Sequence, residues 1–394
     1  MTWAAFGLFA LLAWSTVLLL PWQPCRTRER LEGSSGLADL RDVTALIPAR
    51  NEGAVIGTTL NALLEQGPGL EVVVVDDASE DNTAEIVMRT FETAAGGGSG
   101  AGTRDAAAPA MELIRGEPLP PGWGGKLWAL EQGLTRVTRR YTLLLDADIV
   151  LAPGMITTLL HKARTSDASL VSIMARLRCE NPWERLLVPP FIFFFKLLYP
   201  FARVNDPRAP TAAAAGGCIL VETAVLKEVE AFGSIRGELI DDCSLARRVK
   251  HAGHPIWLAL SRSVESRREY RTLAEFWETV SRTAFTQLGY SLGALLATTL
   301  LMLVVFVAPV AILVAELSAH DPPGSVTALG ALAALVAMAG AYWPVARFYG
   351  LALPWVLTLP LAASLYLLMT WSSALNYWRG TRATWKNRDY DTNV

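Results

Sequence analysis

The sequence predicts an α/β domain with a Rossmann-like, mostly parallel sheet, flanked by apolar segments at both ends of the chain. Strand and helix patterns alternate through residues 41–290, as they do when parallel strands are joined by crossover helices. Apolar runs in that stretch end abruptly in carboxylates, and acids at strand ends mark the edge where open sheets bind ligands. The flanking stretches are nearly uncharged and about one bilayer long.

Composition narrows the class. Of 394 residues, 52% are hydrophobic, and the mean hydropathy of +0.31 is high for a water-soluble chain. Charge is close to balance, 35 Lys and Arg against 37 Asp and Glu, which argues against a nucleic-acid partner. Cys25, Cys179, Cys218 and Cys243 form no CxxC pair, so no zinc site or disulfide framework follows and a reducing compartment is expected. His161, His251, His254 and His320 lack metal-ligand spacing and read as surface or structural residues.

Residues 1–22 carry no charged side chain. A cleaved signal would show a basic start and a small-residue cleavage site, and neither is clear. Arg26, Arg28 and Arg30 follow directly, which points to an uncleaved anchor with the next residues in the cytoplasm. Near the other end, residues 288–317, 326–346 and 351–375 predict a membrane bundle over 288–378. The link at 319–325 has no Lys or Arg, as suits an external loop. Three crossings would leave the tail, 379–394, outside, yet Arg379, Arg382, Lys386 and Arg388 favour the inside. A re-entrant stretch at Pro354 or Pro360 and an exception to the charge rule both remain open.

Within the polar part, residues 43–47 read as the first strand and 52–65 as its helix. Residues 71–75 form a β-branched strand of the kind buried on both faces. Asn82 and Glu85 are spaced as a capping box. Residues 94–110 are rich in Gly, Ala and Ser, and read as a flexible surface insertion. A third strand is expected at 111–114, a helix at 126–137 and a fourth strand at 141–145. The aromatic stretch 181–205 contains Pro189, Pro190, Arg185, Lys196 and Arg203, which disfavour a spanning helix. It reads as an in-plane interfacial segment, with a buried core helix as the other reading.

The chemistry lies at the strand ends. The first strand breaks at Pro48 and delivers Arg50, Asn51 and Glu52; the second ends in Asp76 and Asp77; the fourth ends in Asp146 and Asp148. Carboxylates at such an edge accept hydrogen bonds from a base or from ribose hydroxyls. Mg²⁺ or Mn²⁺ is usually held by one or two carboxylates together with substrate phosphates. An isolated Asp-x-Asp is more often an acidic turn, but three strands ending in acids at one edge point to a nucleotide diphosphate and metal site.

With these motifs in order, the chain resembles the inverting glycosyltransferases of family 2, with the GT-A fold, over about residues 43–285. The stretch from Pro121 to Gly133 (PGWGGKLWALEQG) and the one from Arg282 to Leu288 (RTAFTQL) resemble the hopene-associated glycosyltransferases more narrowly. The resemblance implies that Pro48, Ala49, Asn51 and Glu52 line the base pocket, with Asp76 and Asp77 at base and ribose. It makes Asp146 and Asp148 the family's DxD, the second Asp binding metal, and brings Lys126 to donor phosphate or sugar. Gly216, Gly217 and Cys218 fall in the small-residue segment beneath the acceptor. Asp241 and Asp242 stand where the family has Glu-Asp, which implies that Asp242 is the catalytic base; Asp242 also reads as an N-cap for the following helix. Arg282 takes the place of the diphosphate clamp, without the Trp that follows it in many membrane members. That departure disfavours a processive polymer synthase.

The expectation is therefore a GT-A domain over 41–290, facing the cytoplasm, with interfacial segments near 181–205 and 273–287. It would move a sugar from a nucleotide-diphosphate donor, UDP-linked by resemblance, to a hydroxyl of a membrane lipid, inverting the anomeric centre. Resemblance suggests a hopanoid acceptor and a bacterial inner membrane. A polyprenyl phosphate or diacylglycerol is the alternative acceptor, and a non-catalytic membrane protein with a glycosyltransferase-like domain is the rival class.

Overall fold

The computed structural model describes residues 2–34, 36, 38–96, 110–318, 325–380, 384–385 and 388–389. Most of the insertion expected at 94–110 and of the loop at 319–325 lies outside the described residues, as do Arg382 and Lys386 of the tail. Two compact units emerge. One comprises Glu29–Arg178, Arg203–Arg268 and Arg382–Val394; the other comprises Met1–Arg28, Cys179–Ala202 and Glu269–Thr381.

In chain order, α1 (Thr2–Leu19) opens the helical unit. The sheet unit then runs β1 (Val43–Ala49), α2 (Ile56–Leu64), β2 (Glu71–Asp76), α3 (Thr83–Gly96), β3 (Ala110–Arg115), α4 (Gly125–Leu134), β4 (Tyr141–Leu145), β5 (Ile149–Leu151), α5 (Met155–Ser166) and β6 (Leu170–Arg176). After α6 (Pro182–Leu198) and the short α7 (Phe201–Val204) come β7 (Cys218–Glu222), α8 (Thr223–Glu228), α9 (Asp241–His251) and β8 (Ile256–Ser266). The chain ends with α10 (Leu273–Ser281), α11 (Leu292–Met302), α12 (Ala308–Ser318), α13 (Val326–Phe348), α14 (Leu359–Trp378) and the two-residue strands β9 (Thr384–Trp385) and β10 (Arg388–Asp389).

The eight-stranded sheet has the order β3-β2-β1-β4-β7-β6-β8-β5. The first four in that order are parallel neighbours, so the carboxyl ends of β1, β2 and β4 share one edge. Every residue of β1 and β4 is buried, which explains why their sequences lack an alternating polar face. β7 enters antiparallel to both β4 and β6. Helix α4 lies close on the sheet at Gly133, where a Cβ would stand 2.2 Å from Leu46 Cδ1 and 2.9 Å from Val75 Cγ2. Beyond the far strands, residues 29–32 strap onto β8: Leu31 N–H donates to the Leu260 carbonyl, and the Glu32 carboxylate accepts from the N–H groups of Arg262 and Ser263.

In the helical unit, residues 292–318, 326–348 and 353–378 are long and apolar enough to cross a membrane. Their exposed residues include Leu300, Val314, Val336 and Leu368, as expected of helices that are apolar all round. The expected anchor forms a shorter helix. At 18 residues, α1 rises about 27 Å, just under the ~30 Å of a hydrocarbon core. It packs along α13. Between α11 and α12 one turn widens into a π-helix, Leu303–Val307. Pro309 has no N–H for the carbonyl of Val305, four residues earlier. Trp14 Nε1–H donates to that carbonyl instead, at 3.1 Å.

The 181–205 stretch is helical straight through Pro189 and Pro190, and packs on α13 and α14. Asn181 and Glu184 form a capping box at its start. Glu184 and Lys196 are both buried, and Glu184 also accepts the Tyr270 N–H. A helix with nine buried residues among seventeen has the packing of a core element of this unit.

Candidate active site

Two loops at the sheet edge are laced together. Asn51, in the left-handed region at φ 51°, accepts from Glu80 N–H through its side chain, and its own N–H donates to Ser79 Oγ. Asn tolerates that conformation better than most residues. Glu52 N–H donates to Thr83 Oγ1. Arg50, expected to face a ligand, is only 5% exposed. Its guanidinium donates to the carbonyls of Asp77 and Ala78 at 2.5 and 2.7 Å. It builds the loop that presents Asp76 and Asp77. Ala49 stands opposite Asp76 in the ladder, so Pro48, Ala49, Asn51, Glu52, Asp76 and Asp77 form one contiguous rim.

The second half of the site forms where β4 ends. Lys126, in the first turn of α4, places Nζ 2.9 Å from Asp146 Oδ1 and 3.2 Å from Asp241 Oδ2. Burial alone would lower its pKa, but the Asp146 and Asp241 charges outweigh that and hold it above the ordinary lysine value. Burial also raises the Asp146 pKa against the opposing pull of Lys126. Asp148 is held from the other side: Ser266 Oγ–H donates to its Oδ2 at 2.6 Å, and Arg267 N–H donates to its carbonyl at 2.8 Å.

Asp242 is not the N-cap of α9 but its second residue. The N-cap is Ile240, which makes no side-chain cap bond. The carboxylate accepts Cys243 N–H at Oδ1 (2.7 Å) and Gly216 N–H at Oδ2 (2.8 Å), so each oxygen keeps a free lone pair. Burial and the neighbouring Asp241 charge push its pKa up to about 6, with Lys126 and the two N–H groups opposing. Gly216 and Gly217 leave little room for a side chain. A Cβ on Gly216 would stand 3.3 Å from Asp242 Oδ2 and 3.4 Å from Lys126 Nζ, and one on Gly217 would be 3.1 Å from Ile149 Cδ1. The next residue, Cys218, pairs with Leu145 across the ladder; it is buried, and burial raises its thiol pKa to about 12, so it is structural rather than reactive.

A cleft of about 340 Å³, open mouth included, runs between these groups. Pro48, Lys126, Asp146, Gly216, Asp241 and Asp242 line it, which connects the β1 rim to the acidic cluster. Arg282, the C-cap of α10, belongs to the helical unit. Sequence reasoning missed Ser266, Ser79 and Thr83, because a hydroxyl at a strand or helix end carries no signal of the carboxylate or loop it will meet. Among the described residues no group of three or more His, Cys, Asp and Glu is arranged to hold a metal ion. Asp146 and Asp148 nonetheless supply hard oxygen donors, and they fit Mg²⁺ or Mn²⁺ if substrate phosphate oxygens complete the coordination.

Comparison with known proteins agrees with this geometry. Residues 44–230 match the family model for glycosyl transferase family 2. A 4,4'-diaponeurosporenoate glycosyltransferase of Staphylococcus aureus (strain bovine RF122 / ET3-1) is 26% identical over 136 residues, 34% of this chain. The match spans 32% of that relative's length. Among solved structures, the mannosyltransferase PcManGT from Pyrobaculum calidifontis, in complex with GDP-Man and Mn²⁺, is similar at a TM-score of 0.54 and 20% identity, covering 93% of this chain and 99% of that one. Residues 44–230 are therefore similar in sequence to the family 2 glycosyltransferases, and the sheet unit has the GT-A fold.

Proposed function

We propose that the protein transfers a sugar from a nucleotide-diphosphate donor to a hydroxyl of a membrane lipid, with inversion at the anomeric carbon. The observation that carries this reading is the single cleft joining Pro48 of the β1 rim, Asp146 of the DxD and Asp242. Donor recognition falls to Pro48, Ala49, Asn51, Glu52, Asp76 and Asp77. Lys126 and Asp146 face the diphosphate and sugar, and Arg282 is the proposed diphosphate clamp. Asp241 and the backbone of Gly216, Gly217 and Cys218 form the acceptor side.

Asp242 acts as general base. Its free lone pair takes the acceptor's hydroxyl proton as that oxygen bonds to the anomeric carbon. The bond from that carbon to the β-phosphate oxygen breaks, and its electron pair leaves with the nucleoside diphosphate. A divalent cation bound by Asp146 and Asp148 would offset charge on that leaving group.

The three apolar helices support a membrane acceptor. Membrane anchorage raises the effective concentration of a lipid hydroxyl near the base. α10 would border the membrane surface, and by resemblance the membrane is a bacterial inner membrane with the catalytic domain facing the cytoplasm. The S. aureus relative is a carotenoid glycosyltransferase, which favours a largely apolar acceptor; a hopanoid fits that chemistry. Because PcManGT was solved with GDP-Man, the assay should include both UDP- and GDP-linked donors.

The test is nucleoside-diphosphate release in detergent, with and without bacterial lipid extract and Mn²⁺, for wild type, Asp148→Ala and Asp242→Asn. Lipid-dependent and metal-dependent release that both variants lose is the expected result. Absence of release with every donor, despite nucleotide binding, would sink the transferase reading.

A further inference from the structure

We propose that Lys126 is an electrostatic gate on the metal site: it occupies Asp146 until a nucleotide diphosphate arrives, so that metal and nucleotide bind together. The inference rests on the donor reading above. Both prospective metal ligands are engaged by the protein's own donors. Lys126 Nζ lies 2.9 Å from Asp146 Oδ1, and Ser266 Oγ lies 2.6 Å from Asp148 Oδ2.

The ammonium is held in place rather than free to swing away. Asp241 grips it from the acceptor side at 3.2 Å. Lys126 is only 17% exposed, so water screens it weakly. A divalent ion approaching Asp146 alone would therefore meet a fixed positive charge within contact distance of its ligand oxygen. A diphosphate changes that balance. Its oxygens offer the ammonium another partner and bring negative charge that offsets both cations. Asp241 keeps Lys126 in reach throughout, which makes Asp241 a positioning residue.

The test is Mn²⁺ binding to the purified full-length protein in detergent, read from the loss of the free-ion EPR signal, with and without UDP or GDP. Wild type should bind Mn²⁺ at least about tenfold more tightly with nucleotide than without it, given the strength of close charge pairs at weakly screened sites. Lys126→Met should tighten nucleotide-free binding by about tenfold, a gain that misfolding would not produce. Lys126→Arg, which keeps the charge, should leave nucleotide-free binding at the wild-type level. Asp241→Asn leaves the ammonium wholly on Asp146 and should not tighten it. Equal wild-type binding with and without nucleotide would overturn the gate, as would Lys126→Met binding no better than wild type. If neither nucleotide promotes Mn²⁺ binding in any variant, the donor reading itself fails with it.

Discussion

Replacing Asp242 with Asn should remove a pH-dependent cost to stability and most of the activity. Burial and Asp241 raise the Asp242 pKa to about 6, against about 3.9 in an unfolded chain. Two units of difference correspond to about 3 kcal/mol of cost in keeping the carboxylate charged in the fold. Asp242 is half-buried, so solvent screening reduces this to about 1–2 kcal/mol. The sign follows from the raised value. The contribution to stability is fully present below the unfolded pKa and is lost as pH rises through about 6. An amide offers one oxygen to the two N–H groups of Cys243 and Gly216, which lowers the Tm of the Asn variant at every pH. The electrostatic part is read from the change in the Tm difference, and from pH 4 to pH 7 the Asn variant should gain about 2–6 °C on wild type in detergent. That gain should shrink as pH falls below about 6 and vanish near pH 4, where the unfolded chain is protonated as well. Turnover follows the opposite course. Only the carboxylate accepts the hydroxyl proton, so wild-type kcat/KM should drop about tenfold for each pH unit below the midpoint. A Tm difference between the two that stays constant from pH 4 to pH 7 would refute the electrostatic argument. A wild-type rate that is flat from pH 5 to 7 would remove Asp242 as the base.

Other perturbations test the scaffold. Gly133→Ala puts a Cβ 2.2 Å from Leu46 Cδ1 and should cost about 1–3 kcal/mol through overpacking between α4 and the sheet, seen as a lowered Tm. Trp14→Phe removes the Nε1–H that serves the Val305 carbonyl and should cost about 1–2 kcal/mol. Trp3→Phe, on an exposed side chain of the same helix, should leave Tm unchanged. Lys250 donates to the carbonyls of Val204, Asp206 and Thr211 at 2.8–2.9 Å. Lys250→Met should destabilise the sheet unit by about 1–3 kcal/mol and increase proteolysis near residue 206.

The parts of the fold legible in the sequence were those governed by local rules. The apolar runs at Val43–Ala49, Glu71–Asp76 and Tyr141–Leu145 form parallel neighbours, and their trailing acids reach one edge because parallel strands share a direction. The parts that were not legible depend on long-range meetings. Nothing near Lys126 announces that its ammonium will bridge Asp146 and Asp241, because Asp241 arrives on a different helix. Arg50 sits in a motif that suggests a ligand contact, yet two carbonyls of the neighbouring loop capture it. The paired prolines at 189–190 are locally unfavourable inside a helix, yet α6 runs through them. Tertiary burial of Leu187, Val188 and Phe193, with the Tyr366 hydroxyl donating to the Leu187 carbonyl, outweighs that local preference.

The bond from Trp14 to Val305 also bears on the order of synthesis. Its two ends lie 291 residues apart. At ~5–20 residues per second, about 15–60 s of translation separate them. Over that interval α1 exists without the carbonyl it will serve, while residues 29–268, which carry all eight strands of the main sheet, are made. Completion of the bundle is thus a late event, and a chain stalled before Val305 would carry an N-terminal helix still lacking its partner.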